Sequence, residues 1–408
     1  MKVIAIQNFG SSGTTLVHSY LDGHNQILSL PALFGIEFYY RWDKHYQFLS
    51  RDKLIAEHLK DFSYFFEADA PIHDIYGLND MGEDRMQNAA IDRDLYIQHF
   101  LASFPQEFTR ASFLVSIYQA YNKAMGKDIK DAEFLIFPIH SNPKQYALDL
   151  CEDFEKVYFL HMLRNPIQSI GSSIKHNLYN QELFKVNCLE SSISQIYKDK
   201  PLHVCNYQTH GIVPYCQKDH VTIGALKLED LHNHKKEALD SICTWLNLRW
   251  EDCLMDSTFN NHKWWNRKES IRINGANTLT IQQNHSEFLN EYDKQRLQSI
   301  GEHIRLYYPE TTIQFQFKKF LKPFQLETNI NYYKQRIIIL FEKRFKLSTK
   351  LLNKFNIKWN FTSYFWPYIW AKDYISIRCT ILKARKFQLT ETSKIELIYQ
   401  ARNKPSTS

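Results

Sequence analysis

No window of about 18 uninterrupted apolar residues occurs anywhere in the 408 residues, so the sequence predicts no membrane-spanning helix. Paired cysteines are also missing. Cys151, Cys188, Cys205, Cys216, Cys243, Cys253 and Cys379 are odd in number and scattered, and none forms a C-x-x-C pair. That speaks against a disulfide framework and against a zinc site, and it fits a reducing compartment. Internal repeats and low-complexity tracts are absent, and only Pro405–Ser408 read as a loose tail. The opening Met1-Lys2-Val3-Ile4-Ala5-Ile6 runs directly into a Gly/Ser/Thr loop, which leaves no apolar leader segment. The expected location is therefore cytoplasmic. What the chain does have is core-forming material: 44% apolar and 15% aromatic residues, enough for one large domain or two modest ones.

The formal charge of +6 is unevenly placed. Residues 318–386 carry 16 Lys/Arg against Glu327, Glu342 and Asp373, a local excess of +13, while residues 1–317 sum to −8. The basic character thus belongs to the C-terminal segment and not to the body of the chain. No nucleic-acid partner is expected.

Short β-branched runs alternate with amphipathic stretches, which predicts an α/β fold with a parallel sheet flanked by helices. Expected strands are Val3–Ile6, Ile27–Leu30, Glu133–Phe137, Val157–Met162 and Val221–Leu226. Expected helices are Thr14–Leu21, Pro143–Asp153, Pro166–His176 and Lys235–Asn247. Residues ~41 to ~130 are rich in aromatics and poor in strand-like runs, and read as a mainly helical insertion of the kind that shapes an acceptor pocket. The domain expectation is a body over residues 1–316 and a basic, aromatic-rich helical extension over 317–408. Within the extension, Ile337, Phe341, Phe345, Leu352 and Phe355 recur three or four apart or at multiples of that spacing, and lysines line another face. That predicts an amphipathic basic helix over Tyr333–Ile357.

Two stretches carry chemistry. Val3–Ile6 is followed by Asn8-Phe9-Gly10-Ser11-Ser12-Gly13-Thr14-Thr15 and then by an apolar helix. Strand, turn and helix in that order aim backbone N–H groups and the hydroxyls of Ser12, Thr14 and Thr15 at the positive end of the helix dipole, which makes a phosphate cradle. An ATP-type loop needs lysine where Thr14 stands. The second stretch is Val157–Met162 ending in Leu163-Arg164-Asn165-Pro166, with Asn165 suited to cap a helix and Pro166 to open it. Ser172 lies eight residues past Arg164, about two turns into that helix. An arginine and a serine so placed can grip one phosphate together.

The run Ser12-Gly13-Thr14-Thr15-Leu16 continuing to Leu21-Asp22-Gly23-His24-Asn25-Gln26-Ile27 resembles the 5'-phosphosulfate loop of the P-loop sulfotransferase family, with Asn25 where the family commonly has proline. Arg164 and Ser172 resemble that family's 3'-phosphate contacts, and Leu226–Leu231 with Trp245–Leu248 resembles its E-D-L strand end and following helix. A late loop, Arg272-Ile273-Asn274-Gly275, is similar in place to the family's segment closing on the 3'-phosphate. The resemblance covers residues ~1 to ~310. It implies the co-substrate 3'-phosphoadenosine 5'-phosphosulfate and sulfuryl transfer to a hydroxyl or amine of a glycan, glycolipid or small-molecule acceptor. No metal is implied.

By that resemblance the donor contacts are Ser11, Ser12, Gly13, Thr14, Thr15, Arg164, Ser172, Arg272 and Gly275. Two residues compete as general base: His140, following the apolar strand 24 residues before Arg164, and Glu37, beyond the second strand. Glu229 and Asp230 are expected to be structural. The chain departs from the family at Ser11, where lysine or arginine usually stands, and at Pro138, where a lysine commonly precedes the histidine. A cation for the leaving phosphate must then come from elsewhere, such as Lys175 or Arg41. Two other readings stay open: an ATP-dependent P-loop phosphotransferase and a non-catalytic nucleotide-binding protein. For the extension, peripheral contact with an anionic membrane stands beside a plain helical cap.

Overall fold

The computed structural model describes residues 1–8, 12–31, 35–139, 143–179, 187–194, 219–268, 271–283, 285–298, 307–308, 317–345, 357–386 and 396–400. Its centre is a five-stranded parallel sheet in the order β2-β3-β1-β4-β5, formed by β1 (Lys2–Asn8), β2 (Ile27–Leu28), β3 (Phe134–Ile139), β4 (Val157–Leu163) and β5 (Val221–Lys227). Helices flank it: α1 (Thr14–Leu21), α2 (Gly35–Lys44), α3 (Arg51–Asp61), α4 (Pro71–Tyr76), α5 (Arg93–Ser103), α6 (Arg110–Ala124), α7 (Pro143–Asp153), α8 (Pro166–Tyr179) and α9 (Cys188–Ile193). The expected strands and the first expected helices are found with their ends shifted by a few residues at most. β2 stops at Leu28 and not at Leu30. Asn122 of α6 takes over there, accepting from Ser29 N–H at 3.3 Å and donating to the Ser29 carbonyl at 2.8 Å, so the backbone groups are satisfied without a ladder.

Side chains alternate along the strands and feed two cores. Val3, Ala5, Leu135, Phe137, Val157 and Phe159 face the helical layer of α2, α6 and α7. Ile4, Ile6, Phe134, Ile136, Leu160 and Met162 face α1 and the helix Lys235–Leu246. The first core is aromatic: Tyr39 meets Phe137 at 5.4 Å and Tyr146 at 5.6 Å between ring centres. Arg110 closes it at the rim, pairing with Asp153 at 2.8 Å and Asp149 at 3.1 Å over the Tyr39 ring.

A third core joins α8 and α9 to the C-terminal helices Ile330–Phe345 and Ile357–Lys386. Tyr332, Tyr333, Ile337, Ile377 and Ile381 are buried there with Ile167, Ile170 and Ile174. The expected basic helix runs over Ile330–Phe345; residues 346–356 lie outside the described residues. Three buried arginines of this region are closed by carboxylates: Arg336 by Asp373, Arg378 of the helix Ile357–Lys386 by both oxygens of Glu327 at 2.5 and 2.7 Å, and Arg296 of the helix Glu291–Gln298 by Asp293. Glu396–Ile398 then runs along β5. Ala225 N–H donates to the Glu396 carbonyl at 2.8 Å, and Ile398 N–H donates to the Ala225 carbonyl at 2.9 Å. The open edge of β5 is thereby covered, and a Cβ on Gly224 would collide with Ile398. No helix among the described residues is long and apolar enough to cross a membrane. The expected boundary at residue 316 lies outside the described residues.

Candidate active site

The sheet register places the two sequence motifs side by side. Asn8, the last residue of β1, pairs with Met162 of β4; Gln7 pairs with Ile139, the last residue of β3; and Leu163 pairs with Lys227, the last residue of β5. Four chain segments therefore leave the sheet at one carboxyl edge. β1 is also where the strand order turns, with β3 and β2 on one side and β4 and β5 on the other. Ligands of open α/β sheets bind in the crevice at such a switch point.

The loop after β1 enters α1 through Gly13, whose φ of 85° is left-handed. A Cβ there would press on the end of the Leu228 side chain, just past the end of β5, but it is the left-handed torsion that calls for glycine. Ser12 and Thr14 are buried and Thr15 is half-buried. α1 begins with no side-chain cap and no acidic residue in its first turn. Its leading N–H groups and its dipole thus favour an anion.

Arg164 follows β4 and is only 1% exposed. Burial lowers its pKa, and the charge of Glu229 followed by that of Tyr308 opposes the shift. Glu229 is committed by both oxygens: it accepts from Asn165 N–H at 2.8 Å and from the Tyr308 hydroxyl at 2.9 Å. It thereby ties the ends of β4 and β5 together beside the guanidinium. The Asn165 side chain accepts from Ile167 N–H at 3.1 Å, a helix cap, and Pro166 opens α8. α8 in turn is clamped by the segment at His285: Gln168 accepts from His285 N–H at 3.1 Å, and a Cβ on Gly171 would run into the His285 carbonyl. Ser172 is half-buried on that fixed helix.

The remaining sequence-predicted residues divide. Glu37 lies in the first turn of α2, and Arg272 lies in the strand Ile271–Asn274, with their side chains outside the description. His140 and Ser11 fall outside the described residues, next to the ends of β3 and the phosphate loop. Gly275, with φ 66°, is buried against the hydroxyl of Tyr20, which accepts from Ala276 N–H. That contact docks the late loop on the last turn of α1. Of the two cations named for the leaving phosphate, Arg41 pairs with Asp61 at 2.6 Å and Lys175 is half-buried on α8.

Two polar residues that sequence reasoning passed over stand at the centre of this edge. Gln7 of β1 and His161 of β4 occupy paired positions, both at 0% exposure. Among the described residues, neither the Gln7 amide atoms nor either ring nitrogen of His161 has a hydrogen-bond partner. Burial alone lowers the His161 pKa to about 3, so the ring is neutral. The available signal was two polar side chains near the ends of neighbouring apolar strands, a pattern that strand periodicity treats as noise. Among the described residues no cluster of His, Cys, Asp and Glu could hold a metal ion.

The family model described as the sulfotransferase family matches residues 9–252. Among solved structures, the sulfotransferase domain from the curacin biosynthetic pathway is 17% identical, with 69% of this chain and 86% of that one covered and a TM-score of 0.34. The sulfotransferase domain from the Synechococcus PCC 7002 olefin synthase is 14% identical, covering 63% and 77%, with a TM-score of 0.30. Sulfotransferase STF9 from Mycobacterium avium is 14% identical, covering 62% and 65%, with a TM-score of 0.31. No curated protein sequence matches the chain.

Proposed function

Since the chain belongs to the sulfotransferase family, we propose that it moves a sulfuryl group from 3'-phosphoadenosine 5'-phosphosulfate to a hydroxyl or amine of a glycan, glycolipid or small-molecule acceptor. The observation that supports the donor assignment is the β1–β4 register, because the segments that carry Ser12–Thr15 and Arg164 follow these two neighbouring strands at one carboxyl edge. A donor with a phosphate at each end of a nucleoside needs two anion grips at a fixed separation, and these are two.

The residues present suit such a dianionic group. Arg164 is a buried guanidinium whose pKa burial lowers against the pull of Glu229 and then Tyr308, and an incoming phosphate would add a charge-assisted, bidentate partner to it. Ser172 would share that phosphate, and the α1 N-terminus with Ser12, Thr14 and Thr15 would hold the other end. When bound, the donor supplies an activated sulfuryl group whose departure leaves a phosphate. The chain's own part is to position it and to remove a proton from the acceptor; His140 and Glu37 are the two candidates for that proton. In-line transfer of this kind depends on placement and charge more than on covalent participation.

The test is calorimetric titration with 3'-phosphoadenosine 5'-phosphate, without magnesium, on the parent, Arg164→Ala and Thr14→Ala proteins. Micromolar or tighter binding by the parent, weakened at least 100-fold in Arg164→Ala, is expected. Folded parent protein that binds no diphosphate sinks the reading.

A further inference from the structure

The Gln7–His161 pair is not explained by packing. Four buried side-chain atoms without partners among the described residues, on paired positions of two central strands, are rare in folded chains and call for a ligand, a water or a chemical role. Strand alternation settles which way they face. Gln7 continues the Val3–Ala5 side and His161 the Val157–Phe159 side, the face covered by α2, α6 and α7. α1, which carries the phosphate loop, lies on the opposite face. α2, the helix that carries Glu37 in its first turn, covers the Gln7–His161 face, and Ile139, the residue before His140 in the chain, pairs with Gln7.

We propose that Gln7 and His161 form the polar floor of the acceptor pocket and select a neutral acceptor bearing neighbouring hydroxyls. This rests on the sulfotransferase reading above. The matching is one of donors and acceptors. A glutamine amide both donates and accepts, and so does a neutral imidazole. A hydroxyl likewise does both, so two adjacent hydroxyls satisfy the pair. A carboxylate can only accept and an ammonium can only donate, and either leaves buried atoms unmatched. The depressed His161 pKa agrees with this, because no positive charge is held there to attract an anionic acceptor.

The experiment measures transfer of ³⁵S-labelled sulfuryl to octyl β-glucoside, myo-inositol and glycerol, against 1-octanol, 4-nitrophenol and octylamine. It uses the parent and the Gln7→Leu/His161→Leu double variant, each first titrated with 3'-phosphoadenosine 5'-phosphate. The parent is expected to favour at least one of the three polyols over the mono-functional acceptors at least tenfold in kcat/KM. The double variant is expected to lose that ratio while keeping its diphosphate affinity within twofold and its melting temperature at or above the parent's. If the double variant fails to fold, Gln7→Met, which keeps the side-chain length, should shift the ratio in the same direction. A parent that labels no polyol, or prefers the mono-functional acceptors, overturns the proposal. A ratio that survives the substitutions overturns it too, and so does a drop in melting temperature, since the polar atoms would then be bonded in the free protein. Loss of diphosphate binding in the parent would instead strike the donor reading itself.

Discussion

His58 in the helical layer and His161 at the sheet edge are the same side chain under the same burial, each at 0% exposure with its pKa pushed down to about 3 by desolvation. Their surroundings differ. His58 is ringed by Phe62, Phe100 and Phe113 at 5.0 to 5.4 Å between ring centres, and its Nε2 meets the Tyr96 hydroxyl at 2.6 Å. Among the described residues, His161 has no such partner on either nitrogen. Burial thus fixes the protonation state in both places, whereas the partner tells the role apart. The helical layer spends its histidine on its own cohesion, and the carboxyl edge keeps buried polar atoms that no described residue bonds.

The comparison is most exposed to His58→Ala. Truncation opens a cavity inside an aromatic cluster and strips the Tyr96 hydroxyl of its partner, so a loss of about 3 kcal/mol or more in urea unfolding is expected. A loss as small as that caused by removing His161 would break the distinction. A second effect is smaller and reads the charge state directly. An unfolded histidine titrates near pH 6.5, and one held to about 3 in the fold binds fewer protons than the unfolded chain between those values. The stability it contributes is therefore present above pH 6.5 and is lost as pH falls toward 3. At pH 5 the loss is about 2 kcal/mol per buried histidine. Unfolding of the parent and of His161→Leu at pH 7 and pH 5 isolates one such contribution, and the variant should lose about 2 kcal/mol less on acidification. Parallel pH dependences would mean that His161 is solvated in the fold.

What was legible in the sequence is what is local. Val3–Ile6 followed by Gly13 and Thr14 reads as strand, turn and helix because β-branched residues, a left-handed glycine and an apolar helix sit within 21 residues. Asn165 and Pro166 announce the start of α8 for the same reason. The pairing partners of that machinery are distant and were not readable. Glu229 reaches Asn165 across 64 residues and Tyr308 across 79, Arg110 reaches Asp153 across 43, and Glu396–Ile398 finds β5 from the far end of the chain. The basic C-terminal segment was legible as charge, but its buried arginines were not legible as structural, because Glu327 and Asp373 become their partners only once the helices pack. Gln7 and His161 were missed for a related reason. A polar residue in an apolar strand acquires meaning only from the residue beside it in the sheet.

The smallest expected effect discriminates best, and it is the stability of His161→Leu at pH 7. Leucine roughly conserves the volume of an imidazole, and it removes two buried polar atoms that have no partners to lose. Deleting a hydrogen-bonded group costs stability because its partner is orphaned; deleting an unpartnered one leaves no orphan and recovers the desolvation already spent. The change should fall within about 1 kcal/mol of zero and on the side of gain, by urea unfolding. The sign carries the argument. A gain means that the fold tolerates an unsatisfied group at the carboxyl edge, which is how a chain behaves where stability yields to a site that must bind something else. A loss of 2 kcal/mol or more would make His161 a bonded packing residue like His58, with a fixed water in the place of the Tyr96 hydroxyl, and the two regions would no longer differ in kind.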